Sequence, residues 1–256
     1  MDWTYSLAGL VVGFVVGLTG VGGGSLMTPL LVALFGGAPA TAVGTDLLYA
    51  GLTKSAGSWV HARRGNVDWH LAGRLALGSV PGAALGLLLL KGLLADARAV
   101  SGIITWTLGA ALVLTAAALL FRERLKNFSI GRAAAWRERH GAAATVAVGF
   151  TLGVLVSVSS VGAGALGVAA LLFLHPVLPA VRIVGTDIAH AVPLTLVAGL
   201  GHAALGTVDY ALLGSLLVGS LPGIWLGSHL GGSIPERVLR PALAGVLVLV
   251  AGKLVI

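Results

Sequence analysis

Apolar residues run along the chain in blocks, at 4–36, 41–61, 69–92, 98–121, 142–175, 182–204, 208–231 and 236–255, with short polar joints between them. A membrane-spanning helix needs about 20 mainly apolar residues. All blocks but two fit one such helix. The first and fifth are about 34 residues long, too long for one upright span and too short for two. Each is interrupted near its middle by small residues. The first interruption is Thr19-Gly20-Val21-Gly22-Gly23-Gly24, followed by Pro29; the second is Ser157-Val158-Ser159-Ser160-Val161-Gly162-Ala163-Gly164. Consecutive glycines disfavour a continuous helix. The pattern predicts broken or re-entrant helices at these two places.

The two halves of the chain match each other. Val43-Gly44-Thr45-Asp46 returns as Val184-Gly185-Thr186-Asp187, and at the same offset His61 matches His202. Gly65-Asn66-Val67-Asp68-Trp69 returns as Gly206-Thr207-Val208-Asp209-Tyr210, and Gly78-Ser79-Val80-Pro81-Gly82 as Gly219-Ser220-Leu221-Pro222-Gly223. Near the start, Gly13-Phe14-Val15-Val16-Gly17 matches Gly149-Phe150-Thr151-Leu152-Gly153, which leaves extra residues in the second half before its break. The expected organisation is a first membrane repeat at 1–121, a basic linker at 122–140 and a second repeat at 141–256. Each repeat has an interrupted first helix and about three spanning helices.

Composition agrees with a polytopic all-α membrane protein. Hydrophobic residues make up 57% and charged residues 10%, with no cysteine and a mean hydropathy of +1.00. A soluble domain has about 25% charged residues, so a soluble enzyme, a disordered chain and a disulfide scaffold are excluded. The strands of an outer-membrane barrel would alternate apolar and polar residues, and these blocks do not. The net charge of +7 is concentrated between Arg122 and Arg139, which reads as a cytoplasmic loop rather than a nucleic-acid surface. That segment reads as a plain tethering loop, with a short interfacial helix through Leu125 and Trp136 as the alternative. The N-terminus has no basic region or small-residue cleavage pattern of a signal peptide. With the central loop inside, Arg182, Arg237 and Arg240 also fall inside if the fifth block dips in and returns as a hairpin. That placement favours inverted over parallel repeats.

Ionisable residues inside lipid are costly and mark function. Asp46 and Asp187 stand one per repeat. Lys54 lies two turns after Asp46, and His190 follows Asp187 by three positions, within reach on one helix face. These residues, with His61 and His202, are candidates for ion or proton coupling; the alternative for the aspartates is a helix-capping role. At each break, a half-helix beginning inside the membrane would present free N–H groups and a positive dipole end, which suits an anion. The candidate substrate-binding residues are Thr19, Gly22, Gly23, Gly24 and Ser25 in the first half. In the second half they are Ser157, Ser159, Ser160, Gly162 and Gly164, with the backbone of Ala163 and Ala165. Tight helix crossing is the competing explanation for the glycines, and it suffices for Gly13 and Gly17. No metal site, nucleotide-binding loop or nucleophile–base pair is recognisable, so no cofactor and no enzymatic activity are expected.

The stretch from Gly13 to Pro29, with the Val-Gly-Thr-Asp that follows and the degenerate second copy, resembles the opening of the sulfite exporter TauE/SafE family. The resemblance covers almost the whole chain. It implies a secondary carrier in the bacterial inner membrane that moves small sulfur-containing anions, such as sulfite or the organosulfonate sulfoacetate. Export is the implied direction, with uptake proposed for some members. The expected partners are that anion and the lipid bilayer, with a homo-oligomer an open possibility and no nucleic acid. A passive anion channel, or an uptake carrier for a small oxyanion or carboxylate, are the alternatives. In the second break Val-Gly-Ala-Gly-Ala stands where the first has Val-Gly-Gly-Gly-Ser, which leaves fewer glycines there.

Overall fold

The structure is a computed structural model, and it describes residues 3–19, 24–93, 96–131, 134–230 and 236–255. Those residues form α1 (Trp3–Thr19), α2 (Gly24–Ala33), α3 (Pro39–Arg63), α4 (Trp69–Leu93), α5 (Ala97–Gly131), α6 (Ala134–Ser159), α7 (Ala165–Leu174), α8 (Ala180–Ala204), α9 (Tyr210–Leu230) and α10 (Glu236–Val255). No strand occurs among them. Among the described residues, five helices are long and apolar enough to cross a membrane: α4, α8 and parts of α5, α6 and α9. The basic segment differs from a plain loop. Helices α5 and α6 run on through it from either side, to Gly131 and from Ala134. Arg, Lys, Glu and Ala are strong helix formers, so the helices continue beyond their apolar windows.

Local signals set the helix ends. Pro39 occupies the first turn of α3, and Pro179 caps the start of α8. Both helices end alike. Gly65 and Gly206 take positive φ (69° and 73°), the Asn66 N–H donates to the His61 carbonyl, and the Thr207 N–H donates to the His202 carbonyl. This is the Schellman closure, for which glycine carries no Cβ penalty. Asp68, Asp96 and Asp209 cap α4, α5 and α9 through their Oδ1 atoms. Asp46 and Asp187 do not serve as caps: they lie inside α3 and α8, 0% and 1% exposed.

Contacts at glycines reveal the helix directions. Gly44 lies against His202, Gly51 against Thr195 and Leu196, and Gly57 against Ile188, so α3 and α8 are antiparallel. Gly9 lies against Leu216 and Gly13 against Ser220, so α1 and α9 are parallel; Gly149 against Leu75 and Gly153 against Ser79 make α4 and α6 parallel too. The short connections 64–68 and 205–209 fold α4 back on α3 and α9 back on α8. It follows that α1 runs in the same direction as α3, and α6 in the same direction as α8. The chain must reverse between the members of each pair, so α2 and α7 are returning arms. Their 10 residues each span about 15 Å, half of the hydrocarbon thickness of about 30 Å. Side-chain contacts agree. The Tyr5 ring lies 5.1 Å from the Phe35 ring just after α2, and Thr145 Oγ1 of α6 lies 3.1 Å from His175 Nε2 just after α7.

Contacts recur in matched pairs across the two halves. The Asp209 N–H donates to Thr45 Oγ1 (3.0 Å), and the Asp68 N–H donates to Thr186 Oγ1 (2.9 Å). Gly44 faces Thr207 and His202, as Gly185 faces Asn66 and His61. The first helices also pair, but one turn away from the sequence match. Gly9 and Gly13 occupy the places of Gly149 and Gly153, at an offset of 140 residues. Glycines recur at every fourth position along α1, so local identity fits two registers equally well, and packing against Leu216 and Ser220 selects one. In that register no extra residues precede the second break. Thr19-Gly20-Val21-Gly22-Gly23-Gly24-Ser25 aligns with Ser159-Ser160-Val161-Gly162-Ala163-Gly164-Ala165.

Candidate functional site

The α6–α7 break lies in the interior, next to α3 and α8. Three residues there have backbone that suits glycine: Ser160 (φ 58°), Gly162 (φ 124°) and Gly164 (φ 139°). The two glycines kept in Val-Gly-Ala-Gly-Ala are the two at positive φ, where a Cβ would be strained. Alanine at 163 and 165 occupies places without that demand. The Gly167 N–H donates to the Gly162 carbonyl and the Val168 N–H to the Gly164 carbonyl. Earlier N–H groups of the first turn of α7 have no intrahelical acceptor by their position.

Of the serines expected to supply donors here, all three are buried, and two use their hydroxyls on their own helix. Ser157 Oγ donates to the Val154 carbonyl (3.0 Å) and Ser159 Oγ to the Leu155 carbonyl (2.7 Å). Ser160 Oγ leaves the helix and donates to Asp46 Oδ2 (2.9 Å). The same oxygen accepts a hydrogen bond from Thr28 Oγ1 of α2 at 2.5 Å. Lys54, only 7% exposed, donates from Nζ to the Ala163 carbonyl at 2.7 Å, inside the break. It interacts electrostatically with both Asp187 and Asp46. Among the described residues neither carboxylate forms an ion pair with it.

On α8, His190 Nε2 lies 2.8 Å from Ser79 Oγ of α4, and no hydrogen bond joins it to Asp187. Asp187 Oδ1, Asp46 Oδ1 and His190 Nδ1 are buried without a hydrogen-bond partner. Asp187 leans on α7, where a Cβ on Gly167 would fall 1.8 Å from Oδ1. His202 is buried and donates from Nε2 to the Ser157 carbonyl (2.8 Å), with Nδ1 2.8 Å from Thr207 Oγ1. Its counterpart His61 is only partly buried, and its Nδ1 is unpartnered.

The second break, Asp46, Lys54, Asp187, His190 and His202 therefore gather around α3 and α8, while His61 stands at their edge. Gly22 and Gly23 lie outside the described residues, as do the side chains of Thr19 and Ser25; Gly24 begins α2. Thr28 and Ser79 escaped the sequence reading. Isolated hydroxyls in apolar helices carry no pattern of their own, though Thr28 directly precedes Pro29. A cavity of about 540 Å³ beside α4, α5 and α6 is lined by Leu89, Leu90, Leu93, Ile103, Thr107, Phe150, Thr151, Val154, Leu155 and Val158. It contains no ionisable group and is not this site.

The profile of the family described as sulfite exporter TauE/SafE matches residues 5–254. "Probable membrane transporter protein YjnA" of Bacillus subtilis is 39% identical over 219 residues, covering 85% of each chain. "Probable membrane transporter protein YdhB" of the same organism is 29% identical over 250 residues, covering 93% of this chain and 96% of that one. "Probable membrane transporter protein YunE", also of Bacillus subtilis, is 45% identical over 76 residues, 30% of this chain and 26% of its own. No solved structure matches the chain significantly. With apolar helices along the described chain, a family profile that covers residues 5–254 and these relatives, the chain belongs to the sulfite exporter TauE/SafE family of membrane transporters.

Proposed function

We propose that the protein is a secondary carrier that exports a small sulfur-containing anion, sulfite or an organosulfonate such as sulfoacetate, across the bacterial inner membrane in exchange for protons. The observation that carries the reading is Lys54, a buried cation bonded into the α6–α7 break and electrostatically coupled to a carboxylate from each half. The anion would bind between Lys54 and the first-turn N–H groups of α7, with the α1–α2 break facing it from the other repeat. Its site would draw on Thr19, Gly22, Gly23, Gly24, Ser25, Gly162 and Gly164, and on Ser157, Ser159 and Ser160 only in a state where their hydroxyls leave Val154, Leu155 and Asp46. The coupling proton would belong to the group of Asp46, Asp187 and His190, whose buried atoms without protein partners are places for a proton or a substrate oxygen. His61 and His202 would flank that route. In proteoliposomes, outward sulfite or sulfoacetate flux is expected to change at least fivefold when an imposed pH gradient is reversed. Flux indifferent to the gradient would remove proton coupling from the mechanism.

The repeats would be inverted, related by a two-fold axis in the membrane plane. The antiparallel α3 and α8, the returning arms α2 and α7, and the reciprocal Thr45–Asp209 and Thr186–Asp68 bonds support this. The cations support one orientation. Arg63, Arg64, Arg74, Arg182 and the segment around Arg122 to Arg139 gather at the end of the bundle where α5 meets α6. Lys91, Arg98 and Lys253 belong to the other end. That asymmetry favours a cytoplasmic α5–α6 connection. Ala38 and Val177 would then lie on opposite faces, outside and inside. An impermeant maleimide is expected to label Ala38→Cys in intact cells, and Val177→Cys only after lysis. Labelling of both from the same side would mean parallel repeats.

A further inference from the structure

The offset of 140 residues that aligns the breaks also shows what each carboxylate is given as a partner. Asp46 Oδ2 accepts two hydroxyl hydrogen bonds, from Thr28 on the returning arm of the first hairpin and from Ser160 in the break of the second. One oxygen on α3 therefore holds both hairpins, and they come from opposite halves of the chain. Eight residues on, Lys54 Nζ grips the Ala163 carbonyl, so α3 holds the second break on both sides of Gly162. Ser160 has a left-handed backbone without being glycine (φ 58°). Such a conformation persists where surrounding bonds enforce it, and the bond to Asp46 is one of them.

Asp187 has no such frame. The residues aligned with Thr28 and Ser160 are Val168 and Gly20, and neither carries a hydroxyl. The residue aligned with Lys54 is Thr195, whose Oγ1 donates to the Ala191 carbonyl of its own helix. Asp187 Oδ1 is buried without a donor and rests against Gly167, which offers no side chain. His190, one turn further along, bonds to Ser79 on α4 through one nitrogen and leaves the other unpartnered. The two halves thus share a backbone plan but assign different tasks to the aspartate in it.

We propose that Asp46 is a positioning residue whose Oδ2 pins both re-entrant hairpins to α3, a task that Asp187 does not share. The division rests on the carrier reading given above, but the pin itself does not depend on which anion is carried. Hydroxyl donors need only an acceptor oxygen, so an amide at 46 keeps the pin and a methyl group removes it.

The chain has no cysteine, so a single cysteine reports without background. Ala163→Cys, at a position 7% exposed inside the pinned break, would be reacted with N-ethylmaleimide in purified protein. Asp46→Ala, and separately Thr28→Val with Ser160→Ala, are expected to raise the modification rate at least tenfold. Asp46→Asn and Asp187→Ala are expected to leave it within about twofold. Val161→Cys, wholly buried in the same break, serves as a second reporter should Ala163→Cys disturb folding. In counterflow, which needs no gradient, Asp46→Asn is expected to retain far more sulfite exchange than Asp46→Ala. The proposal is overturned if Asp187→Ala opens the break as much as Asp46→Ala, or if Asp46→Asn behaves like Asp46→Ala. If the parent protein exchanges no sulfite while the labelling pattern holds, the substrate assignment fails and the pin stands.

Discussion

Lys54→Met is expected to lower anion counterflow by about 100-fold or more. The argument starts from burial. Lys54 is 7% exposed, donates to the Ala163 carbonyl at 2.7 Å, and is electrostatically coupled to Asp187 and Asp46. In the proposed carrier the ammonium is the buried counter-charge of the anion, and truncating one partner of a buried hydrogen-bonded charge pair costs about 2–5 kcal/mol. At about 1.4 kcal/mol per decade, that corresponds to about 1.5 to 3.5 orders of magnitude in anion binding. The Ala163 carbonyl also loses its donor, and an unpaired buried acceptor costs about 1–3 kcal/mol. Methionine keeps the length and apolar stem, so the loss reports the ammonium group. Lys54→Met with Asp187→Asn separates folding from transport. Neutralising Asp187 is expected to recover part of the lost thermal stability, because that buried carboxylate is then no longer left charged without the nearby cation. Counterflow is expected to stay low, because the anion still lacks its cation. Full counterflow in Lys54→Met would show that the N–H groups at the breaks suffice without it.

Much of this fold is legible along the chain, and for physical reasons. Apolar blocks must match the bilayer thickness, so their lengths count helices and expose the two that are too long. Small residues at 157–164 mark the second interruption, which falls at 160–164, where Gly162 and Gly164 take a backbone that strains other residues; the first expected interruption has residues 20–23 outside the described ones. Positions of Asp46, Asp187 and Lys54 stand out because charge in an apolar block is rare. What remained hidden depends on contacts between distant segments. Thr28 and Ser160 meet at one oxygen across 18 and 114 residues from Asp46, and nothing local to either hydroxyl announces it. The register of α1 against α6 was ambiguous by a full turn, because Gly9, Gly13 and Gly17 repeat at the helical spacing. The basic segment reads as a loop by polarity, yet polarity decides only that it leaves the bilayer. Helix propensity decides its shape.

The symmetry and the chemistry of the protein point in different directions, and that contrast is informative. Several packing positions are preserved between halves: Gly78 with Gly219, Gly82 with Gly223, Thr45 with Thr186. Interior polar positions are preserved only in part. Lys54 aligns with Thr195, Tyr49 with His190, and Thr28 with Val168. In the proposed inverted-repeat carrier, alike helix crossings would give the two access states similar energies, and unlike interior groups such as Lys54 and Thr195 would give the two hairpins different tasks.

The conserved half of that contrast leads to the second large effect, at the helix crossings. Gly78→Leu is expected to abolish a monodisperse, thermally stable protein, and so is Gly219→Leu at the matched position. A Cβ on Gly78 would fall 1.9 Å from the Val146 carbonyl oxygen and 2.6 Å from the Phe150 nitrogen; on Gly219 it would fall 1.7 Å from the Ser6 carbonyl oxygen. Backbone atoms cannot swing aside as a side-chain tip can, so the helices themselves must part. Gly82 on α4 and Gly149 and Gly153 on α6 make the same close approach to backbone. Separation at Gly78 therefore opens the whole α4–α6 seam, with loss of the dispersion contacts that hold helices together in lipid. Overpacking a core costs about 1–3 kcal/mol even where side chains can adjust; here they cannot, and a fall in Tm of about 10 °C or more is expected. Gly73→Leu and Gly214→Leu are the controls, on the same two helices and also matched between halves. Nothing lies within 4 Å of a Cβ at either position, so both are expected to keep the parent Tm within about 2 °C. The contrast tests packing rather than helix propensity, because all four substitutions replace glycine by the same strong helix former. A Gly78→Leu protein as stable as Gly73→Leu would mean that α4 and α6 do not cross at these glycines, and the register joining α6 to α1 would have to be redrawn.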